Sequence, residues 1–432
     1  MDKKEMISEL AKELPPYAAH LRGEFIPGKT LVQYSGPYWD NEEVEAGLKA
    51  FLSGHWASSG EYVARFQNEF ARQFSVRYAQ MVNSGSSANL VMLAALKKRL
   101  GWQDGDEVIV SPTGFPTTIS TIVQNGLKPI FVDIEMQTLN FDLEKVQSAI
   151  TSKTKAIFVS PVLGNSPNID QLRSFTKLYD HVTLILDGCD SLGSKWSGED
   201  LGNYFYAWST SFYPAHHITT LEGGMVSSND ADLIKLVRSF SNWGRSCHCV
   251  GKANLLPCGT CGLRFSNWLG EEQGIIDHKY VFEHIGYNLK PLDLQGALGL
   301  AQLKKLKVIE AKRRYNKEEI TEVVNSLPKV RVVSCLPQSD PCWFAVPIVC
   351  EDKEIRESLV AHLEKNLVQT RPVFAANILM HPGYSHLGKS KDYPNACLAY
   401  DRTFFIGCAP FYTEEILDYI AGVLDSWPQT LN

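Results

Sequence analysis

"STSFYPAHHITTLEGGMV" (residues 209–226) begins like the end of a strand, turns at Pro214, sets His216 beside His217 and closes on Thr-Thr and Gly-Gly pairs. Alone, the stretch allows either an ordinary turn or the centre of a chemical site. The segments upstream decide what fold carries it. Short apolar runs, "EVIVSP" (107–112), "KPIFVDI" (128–134), "KAIFVSPV" (155–162) and "VTLILD" (182–187), alternate with amphipathic segments at 86–100, 142–150 and 169–180. Strand then helix, repeated, predicts an α/β fold with a mostly parallel sheet and helices on both faces. The near-continuous apolar strands agree, because strands of such a sheet are buried on both sides.

From Asp293 a long helical pattern runs to about residue 327, and alternation resumes in "KVRVVSCLP" and "WFAVPIVCE". This predicts an N-terminal segment (1–40), a large domain (41–292) and a connecting helix leading into a smaller C-terminal α+β domain (293–432). A length of 432 residues suits two or three domains. With 44% hydrophobic and 21% charged residues the composition is that of a globular protein. The net charge of −6 gives no electrostatic footprint for nucleic acid or an anionic membrane. The start, "MDKKEMISELAKEL", is too charged for a signal peptide, and no apolar run reaches the roughly 18 residues of a membrane span. A cytoplasmic location is expected.

Three constellations could carry chemistry. "NSGSSANL" sets Asn83, Ser84, Gly85, Ser86 and Ser87 at the start of a helical pattern, where free amides and hydroxyls suit a phosphate or serve as plain capping. "LILDGCDSLG" puts Asp187 at the carboxyl end of a buried strand, the place of sites in open α/β sheets, or of a capping acid. The third is the opening stretch, with Ser211, Tyr213, His216 and His217. Their order says more than any one of them. A phosphate cradle, an acid at a strand end, and a Ser-aromatic-Pro turn about thirty residues later form the layout of a pyridoxal-phosphate fold. There the acid pairs with the pyridinium nitrogen, and the turn normally supplies the Schiff-base lysine.

Ten cysteines in a chain of this kind read as thiols or ligands, not as a disulfide framework. Cys335, Cys342, Cys350, Cys397 and Cys408 stand mostly beside apolar residues and read as core cysteines. Cys247, Cys249, Cys258 and Cys261 crowd into fifteen residues, within a cysteine-rich insertion placed near 245–275. The Cys-x-x-Cys at 258–261 and the nearby Cys-x-Cys could together form a four-thiolate zinc site.

Nearly the whole chain resembles the sugar-nucleotide aminotransferases and dehydratases of fold-type I. The likeness rests on "GHWASSGEYVARFQNEFA", "NSGSSANL", "GFPTTI", "LGN", "LDGCDSLG", "SFYPAHHITTLEGG" and "GYNLKPLDLQGALGLAQL". The aminotransferases of that family read Ser-Phe-His-x-x-Lys-x-Ile-Thr-Thr at the turn, which lays their lysine on His216. An imidazole cannot form an imine with the cofactor aldehyde. A neutral imidazole, with an ordinary pKa near about 6.5, can still take and return a proton. The substitution is the one the family's 3-dehydratases carry, so the resemblance narrows to them. It implies non-covalently held pyridoxamine 5′-phosphate (PMP, the amine form of PLP).

Two branches of dehydratase then differ in their cysteines. The branch similar to GDP-4-keto-6-deoxymannose 3-dehydratase has the histidine and no metal. The branch similar to CDP-4-keto-6-deoxyglucose 3-dehydrase adds a [2Fe-2S] cluster on Cys-x57-Cys-x-Cys-x7-Cys. Cys189, Cys247 and Cys249 reproduce the first two spacings. The last departs, with eight residues between Cys249 and Cys258 and eleven between Cys249 and Cys261. The family's final ligand is followed by two residues and Arg-Phe, which favours Cys261, before "GLRF", over Cys258. Soft thiolates suit an iron–sulfur cluster.

The resemblance implies C-3 dehydration of a CDP-linked, or other nucleotide-linked, 4-keto-6-deoxyhexose for 3,6-dideoxyhexose and O-antigen synthesis. An NADH-dependent flavin/iron–sulfur reductase would be the electron donor. His216 is implied as the proton carrier and Asp187 as partner of the ring nitrogen, with Tyr213 and Asp190 in active-site positions. Gly85, Ser86 and Ser211 are implied to hold the phosphate and Phe115 to stack on the ring, against its plain reading as a buried aromatic after a strand. Asn288 is implied to reach the phosphate across a homodimer interface. Arg371 and Arg402 are candidates for the pyrophosphate or plain surface residues, and His217 reads as structural. The alternatives are a cluster-free dehydratase and a non-catalytic cofactor-binding relative.

Overall fold

A seven-stranded sheet takes its strands from the alternating segment: β1 (Tyr78–Val82), β2 (Glu107–Val110), β3 (Lys128–Phe131), β4 (Thr154–Val159), β5 (Thr183–Asp187), β6 (Ala207–Ser211) and β7 (Gly224–Ser228). The computed structural model describes residues 3–13, 24–53, 57–247 and 264–428. The strand order is β1-β7-β6-β5-β4-β2-β3. The pairs β2–β3, β2–β4, β4–β5 and β5–β6 are parallel, while β7 runs antiparallel to both β6 and β1. The expected mostly parallel sheet is therefore present, with β7 alone reversed. The link between them, residues 212–223, holds no helix to make a crossover and closes as a turn, with the Phe212 amide donating to Gly223 O at 2.9 Å, so β7 returns beside β6 antiparallel.

Both faces of the sheet are covered, as its apolar strands require. One face packs Phe66, Phe70, Ile157, Trp208 and Phe212. The other packs Val91, Met92, Leu96, Val108, Phe158 and Ile185. The helix Gly85–Leu100 starts because Ser84 caps it, its hydroxyl accepting from the Ser87 amide, and stops at Gly101 in a left-handed conformation (φ 71°). Lys97, Lys98 and Arg99 in its last turn complement the helix dipole.

The long helical pattern forms one helix of 34 residues, Asp293–Ser326. Its first half packs under the large sheet through Leu303, Leu306 and Ile309. Its second half joins a separate core through Ile320 and Val324. Close approach to the helix Glu61–Gln73 needs glycine, since a Cβ at Gly299 would lie 2.6 Å from the Phe66 ring. The second core lies against an antiparallel sheet in the order Val330–Val332, Ala345–Cys350, Thr403–Gly407, Thr370–Arg371. Among the described residues no helix is long and apolar enough to cross a membrane.

Candidate active site

The carboxyl ends of the strands converge on one cavity of about 730 Å³. β1 leads into Ser84, Gly85 and Ser86, β2 toward Phe115, β4 into Ser160, β5 ends on Asp187 and β6 on Ser211, and all of these residues line it. This is where open α/β sheets place ligands. The opposite wall comes from the C-terminal sheet and its loops, through Phe344, Arg371, Phe374 and Phe405. Arg371 is the one lysine or arginine among the lining residues, and its guanidinium lies 4.9 Å from the Tyr34 ring centre.

The cradle at Gly85 is tight. A Cβ there would lie 2.4 Å from Ser211 Cβ and 3.0 Å from Cys189 Sγ. Glycine is required by this approach, which leaves the helix N-terminus and the Ser86 and Ser211 hydroxyls open to an anion. Phe115, at the start of the helix Pro116–Gln124, is 53% exposed and faces Phe374 edge-on at 6.4 Å. It is therefore a ring bared to the cavity and not the buried aromatic of the plainer reading.

Asp187 is fixed by a network that sequence reading missed. Asn89 Nδ2 and Thr118 Oγ1 each donate to Asp187 Oδ2 at 2.7 Å. Ser209 Oγ donates in turn to Asn89 Oδ1 at 2.5 Å. Oδ1 meets the Cys189 amide at 3.3 Å. One signal was available: Asn89 is a fully buried amide on the apolar face of an otherwise Ala- and Leu-rich helix. A polar group placed so deep needs a partner.

The turn after β6 closes on itself, with the His216 amide donating to Tyr213 O at 2.9 Å and the Thr220 amide to Phe212 O at 3.0 Å. It lays the His216 ring 5.3 Å from Phe344 and 6.3 Å from Tyr213. His216 Nδ1 is sealed from solvent and lies 3.4 Å from Asp190 Oδ1, a contact outside hydrogen-bond geometry. Burial, and then the Arg313 charge, push the imidazole down to about 3. Burial, and then repulsion from Asp187, push Asp190 up to about 8. Between those values the imidazole is neutral and the Asp190 carboxyl protonated, each set by its own burial.

The other expected residues divide. His217 is 2% exposed and its Nε2 donates to Cys342 O at 2.7 Å. Cys189 lines the cavity, and burial together with Asp187 raises its thiol well above the ordinary range. Asn288 lies outside the cavity, exposed, its Oδ1 accepting from Lys290 Nζ at 2.6 Å. Arg402 ends the helix Pro394–Arg402 and does not line the cavity either. Cys247 is partly buried and away from the lining, while Cys249, Cys258 and Cys261 lie outside the described residues. Among the described residues no group of three or more metal-ligating side chains is formed. Cys342, Cys350 and Cys408 are core residues as expected. Cys335 is exposed, a correction that follows from its place in the loop after the strand Val330–Val332.

Residues 38–425 match the DegT/DnrJ/EryC1/StrS aminotransferase family. The chain belongs to that family. Within it, the chain is 39% identical over 404 residues to dTDP-4-dehydro-2,6-dideoxy-D-glucose 3-dehydratase of Saccharopolyspora spinosa, covering 92% of this chain and 86% of that one. It is 35% identical to the lipopolysaccharide biosynthesis protein RfbH of Salmonella typhimurium, covering 98% of each. Among solved structures, Escherichia coli GDP-4-keto-6-deoxy-D-mannose-3-dehydratase with bound hydrated PLP superposes with a TM-score of 0.80 at 28% identity, covering 91% of this chain and all of that one. The aminotransferase PseC of Helicobacter pylori superposes with a TM-score of 0.79 at 22% identity over 91% and 98% of the two chains, which shows the shared fold. That fold is the fold-type I architecture of PLP-dependent sugar enzymes.

Proposed function

We propose that the chain is a PMP-dependent sugar-nucleotide 3-dehydratase that uses a [2Fe-2S] cluster. One observation carries the dehydratase reading: among the described residues no lysine lines the cavity, and His216 stands in the turn after β6. A site without an amine cannot hold the cofactor as an imine, whereas a neutral imidazole can still move a proton. The relatives named 3-dehydratases support the same reading.

The residues present fit the cofactor. The Gly85 cradle would hold its phosphate with Ser86 and Ser211, Phe115 would cover the ring, and Asp187 Oδ1 would meet the ring nitrogen. When bound, PMP supplies an amine for the C4 ketone and a ring that accepts electrons as the neighbouring hydroxyl leaves as water. Asp187 keeps that ring nitrogen protonated, with Asn89 and Thr118 fixing the carboxylate. His216, with Nδ1 toward Asp190, would move the proton at the carbon beside the ring through Nε2. Arg371 provides the cavity's cation for the diphosphate.

For the cluster, Cys189, Cys247, Cys249 and Cys261 are the proposed ligands, with Cys258 as the other choice for the fourth. Cys189 fits, because its thiol sits on the cavity wall two residues past Asp187. The cluster would supply single electrons from an NADH-dependent flavin/iron–sulfur reductase. Asn288, exposed and outside its own cavity, is proposed to complete the site of a second copy in a homodimer.

The test uses PMP-loaded protein, prepared without air, with CDP-, dTDP- and GDP-linked 4-keto-6-deoxyhexoses in turn. Loss of water from one of them with no amino donor present is expected, together with about two irons and two sulfides per chain and visible absorption beyond the cofactor band. Amino transfer from glutamate would overturn the dehydratase reading, and no turnover of any substrate would favour a non-catalytic relative. A colourless preparation with dehydratase activity would leave the cluster-free enzyme standing.

A further inference from the structure

The long helix Asp293–Ser326 buries one guanidinium completely. Arg313 is 0% exposed, and among the described residues its guanidinium donates to backbone carbonyls with no ion pair to a carboxylate. Burying a charge without an ion-pair partner is costly, and a Leu or Met would suit a core helix position better. The hydrogen bonds show what the charge does instead. Nη1 donates to Phe344 O at 2.9 Å and Trp343 O at 3.4 Å. Nη2 donates to Ala215 O and His216 O, both at 3.4 Å. Nε has no partner.

The two nitrogens therefore grip two different parts of the molecule. Ala215 and His216 belong to the turn that follows the large sheet. Trp343 and Phe344 lead into the strand Ala345–Cys350 of the C-terminal sheet. Ala215 O takes a second donor, Ser35 Oγ at 2.5 Å, so this backbone is held from two sides. The same contacts fix the wall of the imidazole's slot, since Phe344, whose carbonyl Arg313 holds, packs on the His216 ring at 5.3 Å. A planar fork suits this task, because its donors have fixed directions that a lysine ammonium cannot reproduce.

We propose that Arg313 is a positioning residue for His216, clasping the base-bearing turn to the start of the strand Ala345–Cys350 of the C-terminal sheet so that the imidazole keeps one place relative to the cavity. The inference rests on the reading of His216 as proton carrier. Arg313 is not among the residues that line the cavity, and it acts through four carbonyls and the Phe344 ring.

The holoenzyme is compared with Arg313→Met and Arg313→Lys by amide hydrogen exchange, thermal unfolding and steady-state kinetics on the nucleotide sugar that the parent consumes. In Arg313→Met, exchange across Tyr213–His217 rises about tenfold relative to the rest of the large sheet, without a matching fall in Tm. The value of kcat falls roughly 10- to 100-fold while KM and PMP affinity stay within twofold. Arg313→Lys keeps the charge and loses the fork, so it shows the same two changes in smaller degree. A merely structural arginine would lower Tm and leave kcat of the folded enzyme alone. If Arg313→Met does not fold, the lysine variant decides on the same two readouts. Exchange and kcat at parental values in the folded variant overturn the proposal, as does a loss carried by KM. The proposed function fails separately: a fully active His216→Ala refutes the base whatever Arg313 does, and no turnover by the parent leaves hydrogen exchange to decide the clasp.

Discussion

Two carboxylates three residues apart share the cavity and live in opposite settings. Asp187 receives two side-chain hydrogen bonds on one oxygen and a backbone amide on the other. Asp190 receives none from the described residues, and burial with the neighbouring Asp187 pushes it up to about 8. In the proposed function the first would face the ring nitrogen and the second would stand as a proton store beside the imidazole. Side-chain chemistry is the same in both, so donors and burial alone divide the roles.

The largest effect that would break this division is at the imidazole. His216→Ala should lower turnover by roughly 10²- to 10⁴-fold while PMP still binds, measured by turnover and by equilibrium dialysis. His216→Lys should gain measurable transamination and lose dehydration, and a variant that dehydrates as well as its parent would refute the assignment. At the anion end, Gly85→Ala should weaken PMP binding by about tenfold or more, because its Cβ would sit 2.4 Å from Ser211 Cβ. Calorimetric titration with PMP checks it.

Asn89→Leu should cost about 1–3 kcal/mol of stability, read from denaturant midpoints, because it removes a donor from the buried Asp187. The smallest effect concerns pH. Asp190's folded-state value lies above its ordinary 3.8, so its contribution to stability is complete below 3.8 and is lost as pH rises toward about 8. Asp190→Asn imitates the protonated acid at every pH. Its Tm should therefore rise relative to the parent by a few degrees between pH 5 and pH 8.5, and a constant difference would show that Asp190 is ionised throughout.

The sequence carried much of this site because its parts are local. Ser84 to Ser87, Asp187 and the 211–217 turn each sit where a strand ends, and strand ends are legible from apolar runs. Asn89, Thr118 and Arg313 were not read, since each acts on a residue far away in the chain. Their partners lie 69 to 98 positions off for Asp187's donors. No periodicity reports such a pairing.

By itself, the sequence determined the α/β order of elements, the site at the strand ends, and the replacement of lysine by histidine at position 216. The first two depend on residue type, spacing and the 2.0 and 3.6 periods of strand and helix, and the third on the family resemblance of the turn. Tertiary structure decided that β7 runs backwards and that Asp187 and Asp190 part company. The reason is the same each time. Burial and hydrogen-bond partners arise only where distant segments meet, and they set both the orientation and the protonation of a group.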